Sequence, residues 1–115
     1  MAAYYEDFEI DQGTDVALQV QLKELNGNAR DLTAHNVNAE MKVNYAADSA
    51  VAFTAIVANP ATDGIITLEL TNTQTAALNP RWRYVYDCNL FYTDSDSNTI
   101  IETVLRGTIK VCPGV

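Results

Sequence analysis

An all-β fold of two antiparallel sheets packed face to face is what this sequence predicts, and three observations predict it. Apolar residues recur at every second position: Val16, Leu18, Val20 and Leu22 alternate with polar or small residues, as do Val37, Ala39, Met41 and Val43, and again Ile66, Leu68 and Leu70. Period two is the signature of strands with one buried face and one wet face. Turn residues punctuate these segments roughly every ten to fifteen positions, the spacing of short strands in a sandwich. Only one short stretch breaks the period.

Taken in order, the first strand is expected over residues 5–10, crowded by Glu6, Asp7 and Glu9 and broken by Gln12-Gly13-Thr14. The second covers 16–24 and is the cleanest alternation in the chain. Asn26-Gly27-Asn28 then reads as a tight turn, because Asn and Gly tolerate positive φ. Asp31-Leu32-Thr33 reads as a loop anchored by a buried Leu32. A third strand is expected over 36–45 and a fourth, short and less regular, over 52–57, where irregularity suggests an edge. Pro60 and Asp63-Gly64 signal a reversal before a fifth strand over 65–71.

The aperiodic stretch, 73–78, is a candidate for one helical turn, opened by a Thr cap and closed by Pro80. The sixth strand, 82–92, is rich in aromatics, with Tyr84, Tyr86, Cys88 and Leu90 on one face. After a hairpin tip at 94–98 the seventh strand, 100–111, turns Leu105, Ile109 and Val111 to one side. Gly107 inside it suggests a bulge or the close approach of another side chain. Seven short strands point to an immunoglobulin-like sandwich, with a small Greek-key barrel as competitor. The Cys–Trp–Cys arrangement of antibody domains is absent, so the likeness is one of architecture.

The 115 residues suit one domain, 1–115, with a single modest core. Hydrophobic content of 48% and charged content of 19% are ordinary for a globular chain. The net charge of −8, from 15 acids and 7 bases, repels phosphate backbones and anionic lipid, so neither nucleic acid nor membrane is expected as a partner. No stretch approaches the ~20 apolar residues of a membrane helix. The first residues carry neither the basic region nor the apolar run of a signal peptide. If Cys88 pairs across the last hairpin with a residue near Val104, Cys112 lies roughly 26 Å further along. That exceeds the ~7 Å reach of a disulfide, so two free thiols and a reducing cytoplasm are expected.

Candidate chemistry is sparse, and no catalytic residue, cofactor or metal is expected. Asp94-Ser95-Asp96-Ser97-Asn98 imitates the first half of a calcium loop, but the required Gly and Glu positions hold Thr99 and Leu105. A solvated hairpin tip is the better reading. His35 is the sole histidine, has no nucleophile in a recognisable setting beside it, and reads as a loop histidine without a role. The acidic pairs read as wet strand faces rather than a glycosidase dyad. Arg81-Trp82-Arg83 is the one concentrated basic and aromatic cluster; as an interface anchor it is weighed closely against a Trp82 that caps the core.

Several motifs in order carry a resemblance. Asp31-Leu32-Thr33 follows the first hairpin, residues 71–78 lead through Pro80 into Arg83-Tyr84-Val85-Tyr86-Asp87, and the closing strand reads Leu105-Arg106-Gly107-Thr108-Ile109-Lys110-Val111 before Pro113. From about Phe8 to Val115 the chain resembles small structural domains of tailed bacteriophages, of the T4-like cyanophage type. It departs from them at Asn79-Pro80-Arg81-Trp82-Arg83, where relatives have a smaller, Gly-containing turn. The resemblance implies a non-enzymatic virion building block of baseplate, tail, fibre or capsid surface, made in the host cytoplasm, with other virion proteins as partners. The acidic first strand, the tip with Asp94 and Asp96, and Arg81, Trp82 and Arg83 are the expected contacts, and a homo-oligomer is compatible with them. The alternative is a carbohydrate-binding module for a host glycan, which requires Trp82 and two tyrosines to form an exposed platform.

Overall fold

The computed structural model describes residues 4–114. Nine strands form two sheets. The larger sheet has the order β1-β9-β8-β4-β5, with β2 also paired to β9; the smaller has the order β3-β7-β6. The strands are β1 (Tyr4–Tyr5), β2 (Phe8–Asp11), β3 (Val16–Gln21), β4 (Asn36–Lys42), β5 (Val51–Ala52), β6 (Thr54–Val57), β7 (Ile65–Leu70), β8 (Arg83–Thr93) and β9 (Thr99–Cys112). The expected two-sheet sandwich is the fold. The count rises from seven to nine because two expected strands are each broken in two.

The first break follows from a glycine. β1 and β2 both run parallel to β9 in one continuous register, Tyr4 opposite Leu105 and Phe8 opposite Ile109. Between them the chain crosses over Gly107 so closely that a Cβ there would lie 1.9 Å from the Glu6 carbonyl oxygen. The close approach expected at Gly107 is therefore made, but by backbone rather than by a side chain. A bulge is present as well, three residues earlier: Cys88 faces Leu105 and Asn89 faces Thr103, so Val104 is the extra residue. The bulge lets Val104 and Leu105, adjacent in sequence, both turn into the core.

The second break is a change of sheet. β5 pairs with β4 in the larger sheet and β6 with β7 in the smaller, with buried Phe53 at the crossing. The edge position expected for this segment is thus occupied in both sheets. Next, a 3-10 turn (Ala61–Asp63) ends on Gly64 at φ 68°, where the left-handed conformation suits glycine.

The helical turn, α1, spans Asn72–Ala76, slightly earlier than expected, because Thr71 is its cap. Thr71 Oγ1 accepts the Gln74 N–H and Gln74 Oε1 accepts the Thr71 N–H, a reciprocal capping box. The core lies between the sheets. Its centre is built by Ala39 and Met41 of β4, Ile66, Leu68 and Leu70 of β7, Tyr86, Cys88 and Leu90 of β8 and Leu105, Ile109 and Val111 of β9. Leu32 is buried as its loop reading required.

Candidate functional site

β8 carries both groups of candidate residues and separates them. Arg81, Trp82 and Arg83 lie at its start, and Asp94 and Asp96 in the hairpin just beyond its end. Arg83 to Thr93 is ten steps of extended chain, about 34 Å. The two clusters therefore sit at opposite ends of a molecule whose long dimension is 49 Å, and they cannot form one contact patch.

At the acidic end the Asp94 carboxylate is engaged by its own turn. Oδ1 accepts the N–H groups of Asp96 and Asn98, both at 2.9 Å, and Ser97 takes φ 64° to close the hairpin. The D-x-D-x-N spacing is thereby accounted for as turn chemistry. Among the described residues no cluster of three or more metal-type side chains forms.

Beside this tip is a network that the sequence does not announce. The Arg30 guanidinium meets the Glu102 carboxylate with two bonds, at 3.1 and 2.9 Å, and the Tyr92 hydroxyl donates to the same carboxylate. These donors hold the Glu102 carboxyl down to about 2, Arg30 contributing most and Tyr92 next. The Tyr92 hydroxyl is in turn raised, first by its hydrogen bond to Glu102. His35 is not idle. Its ring stacks on Tyr92 at 4.1 Å, and Nδ1 bonds the Thr33 carbonyl at 2.8 Å, which fixes the proton on Nδ1. The network pins the 22–35 loop to the β8–β9 hairpin. Arg30 and Glu102 are 72 residues apart in sequence, and no local pattern links them.

At the opposite end Trp82 is 51% exposed and does not cap the core. Arg81 and Arg83 flank it, also exposed, and neither forms an ion pair among the described residues. The pairing register adds two more cations to this end, with Lys110 directly opposite Arg83 and Lys42 opposite Val85. Like charges opposed across strands repel one another, so an anionic neighbour here would be welcome.

Tyr84 and Tyr86 of the same strand are core residues. The Tyr84 hydroxyl accepts the Asn79 N–H at 2.9 Å, and the Tyr86 hydroxyl donates to the Glu6 carbonyl at 2.6 Å. A flat platform of Trp82 with these two tyrosines does not form. Two open hollows are present, one of about 200 Å³ among Glu40, Lys42, Tyr45 and Asp87, the other of about 360 Å³ beside Asp15, Thr54 and Glu69. Neither gathers a nucleophile with a base. In the acidic first strand, Asp7 is committed internally: Oδ1 accepts the Thr108 N–H at 2.9 Å and the Thr108 hydroxyl at 3.0 Å. Cys88 and Cys112 are free thiols, as expected; Cys88 faces Leu105, seven positions along β9 from Cys112. Burial, with Asp87 as a smaller contributor, pushes the Cys88 thiol up to about 12.

No family model matches the chain, and no curated protein matches it. Among solved structures it is similar to murine CRIg, with a TM-score of 0.56 over 93% of this chain and 92% of that one, at 14% identity. The fold is immunoglobulin-like. At that identity the likeness extends to the fold and no further.

Proposed function

We propose that this immunoglobulin-like chain is a non-enzymatic structural protein of a tailed-phage virion, acting by packing against neighbouring virion subunits. The observation that carries this reading is the basic end of β8. A half-exposed Trp82 stands between two exposed arginines at the base of a rigid hairpin, the residue types that anchor protein interfaces. The motif order between Phe8 and Val115 supports the phage assignment. Copies repeated on one particle would turn weak contacts of this kind into stable attachment.

The chain would be made in the host cytoplasm and built into the particle. Its partners at Arg81, Trp82 and Arg83 would present acidic side chains. The test is quantitative mass spectrometry of purified particles against the major capsid protein, with wild type and a triple Arg81→Ala, Trp82→Ala, Arg83→Ala variant. Hundreds of wild-type copies would place it on the capsid surface, and a small multiple of three or six in the tail or baseplate. The variant is expected to lose incorporation while folding normally. Absence of the wild type from particles would overturn the reading, and undiminished incorporation of the variant would remove the role of this end.

A further inference from the structure

Four strand edges border the two sheets, and three of them offer a neighbour little. β5 is two residues long and leaves only the three residues Asn36–Asn38 of β4 beyond it, and β6 is four residues leading into Pro60. The β1–β2 edge carries Glu6, Asp7, Glu9 and Asp11, which repel any acidic chain. β3 differs from all of these. It presents six residues, Val16–Gln21, with no charge, no proline and no bulge, the devices by which edges are normally blunted.

The direction of its free groups follows from its flanks. The Leu22 N–H donates to the Gly64 carbonyl at 2.7 Å, towards β7, and the Ala58 N–H donates to the Ile65 carbonyl at 2.9 Å on the far side of β7. Bonded pairs alternate along an antiparallel ladder. Val16, Leu18 and Val20 therefore bond to β7, while Ala17, Gln19 and Gln21 turn their N–H and C=O groups outward. Lys23, next in that series, agrees. The Tyr4 hydroxyl accepts its N–H at 3.3 Å and donates to its C=O at 2.9 Å. No backbone or side-chain group among the described residues meets the outward groups of Ala17, Gln19 and Gln21.

We propose that the β3 edge pairs with the β3 edge of a second copy of this chain, antiparallel, about a two-fold axis through Gln19. In that register Gln19 faces Gln19 of the second copy, and Ala17 faces Gln21 on either side. All three outward residues become bonded pairs, each exchanging both hydrogen bonds. Side chains opposite one another then share a face, so Leu18 meets Val20 of the second copy and Val16 meets Leu22. These inward residues of β3 explain why a partner is wanted. Val16, Leu18 and Val20 are only half-buried, whereas Ile66, Leu68 and Leu70 beside them on β7 are buried.

The charges at the margins agree as well. Asp15 of each copy falls opposite Lys23 of the other, and nothing charged lies between. The pairing ends there, since Tyr4 already occupies the Lys23 groups. The result is an isologous dimer with one continuous six-stranded sheet, β6-β7-β3 joined to its own copy. It stands independently of the virion reading.

Sedimentation equilibrium of the wild-type chain is expected to show a monomer–dimer equilibrium that tightens with added salt, because each copy carries −8 and salt screens their repulsion. Gln19→Lys sets two ammonium groups against each other at the axis and is expected to weaken the dimer by about fivefold, with the circular dichroism spectrum unchanged and the thermal midpoint unchanged at concentrations where both chains are monomeric. In a Cys112→Ser background, Gln19→Cys places two thiols at the ~5.5 Å Cα spacing of a bonded pair, within disulfide reach. It is expected to cross-link on mild oxidation, while Thr54→Cys on the β6 edge does not. A wild type that stays monomeric at about 1 mM, a dimer indifferent to Gln19→Lys, or preferential cross-linking at Thr54→Cys would each overturn the proposal.

Discussion

Replacing Gly107 by alanine tests the crossing between β1 and β2 directly. The added Cβ would stand 1.9 Å from the Glu6 carbonyl oxygen, 2.7 Å from the Glu6 carbonyl carbon and 3.1 Å from Asp7 Oδ1. Real Cβ contacts do not approach so closely, and the obstacles are backbone, so the crossing must lift. Lifting it breaks the bond from the Glu6 N–H to the Arg106 carbonyl, the two bonds from Thr108 to Asp7, and the bond from the Tyr86 hydroxyl to the Glu6 carbonyl. The last costs most, because Tyr86 is buried and its hydroxyl would be stranded. Taking about 1–2 kcal/mol for that group and about 0.5–1 for each of the other three bonds gives about 2.5–5 kcal/mol in all. For a domain of this size that lowers the thermal midpoint by roughly 10–20 °C. Urea unfolding monitored by Trp82 fluorescence reads the loss. Tyr86→Phe alone is expected to cost about 1–2 kcal/mol, and the double variant less than the sum, since both changes remove one bond. A Gly107→Ala variant within about 1 kcal/mol of wild type would refute the reasoning.

The Glu102 carboxyl is held at about 2 in the folded chain, below its ordinary value of 4.5. Its contribution is therefore complete above pH 4.5 and is lost as pH falls towards 2. The carboxylate is a quarter exposed, so screening reduces that contribution to about 1–2 kcal/mol. Thermal midpoints should fall less steeply across that window in Glu102→Gln than in wild type; parallel curves would contradict the assignment. Alkylation at pH 8 without reductant is expected to label Cys112 in the native chain and both cysteines in denaturant. With its thiol at about 12, only about one Cys88 in ten thousand is thiolate at pH 8. Two native labels arriving at equal rates would count against that burial. Thr71→Ala removes the cap of α1 and should cost about 1 kcal/mol in urea unfolding, with no loss if the capping box is unimportant.

Most of the fold was legible because one period governs it. The inward residues of β4, β7 and β8, and Leu105, Ile109 and Val111 of β9, are those the alternation picked out, Val104 being added by the bulge; the competitor barrel fails because β5 and β6 border two separate sheets. The breaks were harder to foresee. Nothing in the run from Val51 to Val57 marks Phe53 as the point where the strand changes sheets, since that depends on which neighbour each half meets. The helix start is readable in Thr71-Asn72-Thr73-Gln74, whose Thr-x-x-Gln spacing is a capping box; the expected start at Thr73 lies inside the helix that Thr71 caps. At the candidate ends, sequence marked Arg81, Trp82 and Arg83 but could not add Lys110 and Lys42, which arrive through strand pairing. The Arg30–Glu102–Tyr92 network is invisible because Arg30 reaches the hairpin from a loop 72 residues away, and the stacking of His35 on Tyr92 needed the register of β4 against β8.

The parallel pairing of β1 and β2 with β9 also decides how this protein bears a load. The two ends of the described chain lie in neighbouring strands that run the same way, so tension between them slides one strand past the other along its length. Every bond from Tyr4 to Gln12 along β9 resists together, in shear, and none can be peeled off singly as in a hairpin pulled open at its end. Rupture under force is a question of unfolding rate rather than of equilibrium stability. A chain pulled from its ends would hold with this strap until the Glu6–Asp7 crossing over Gly107 gives way, and only then release the sandwich behind it.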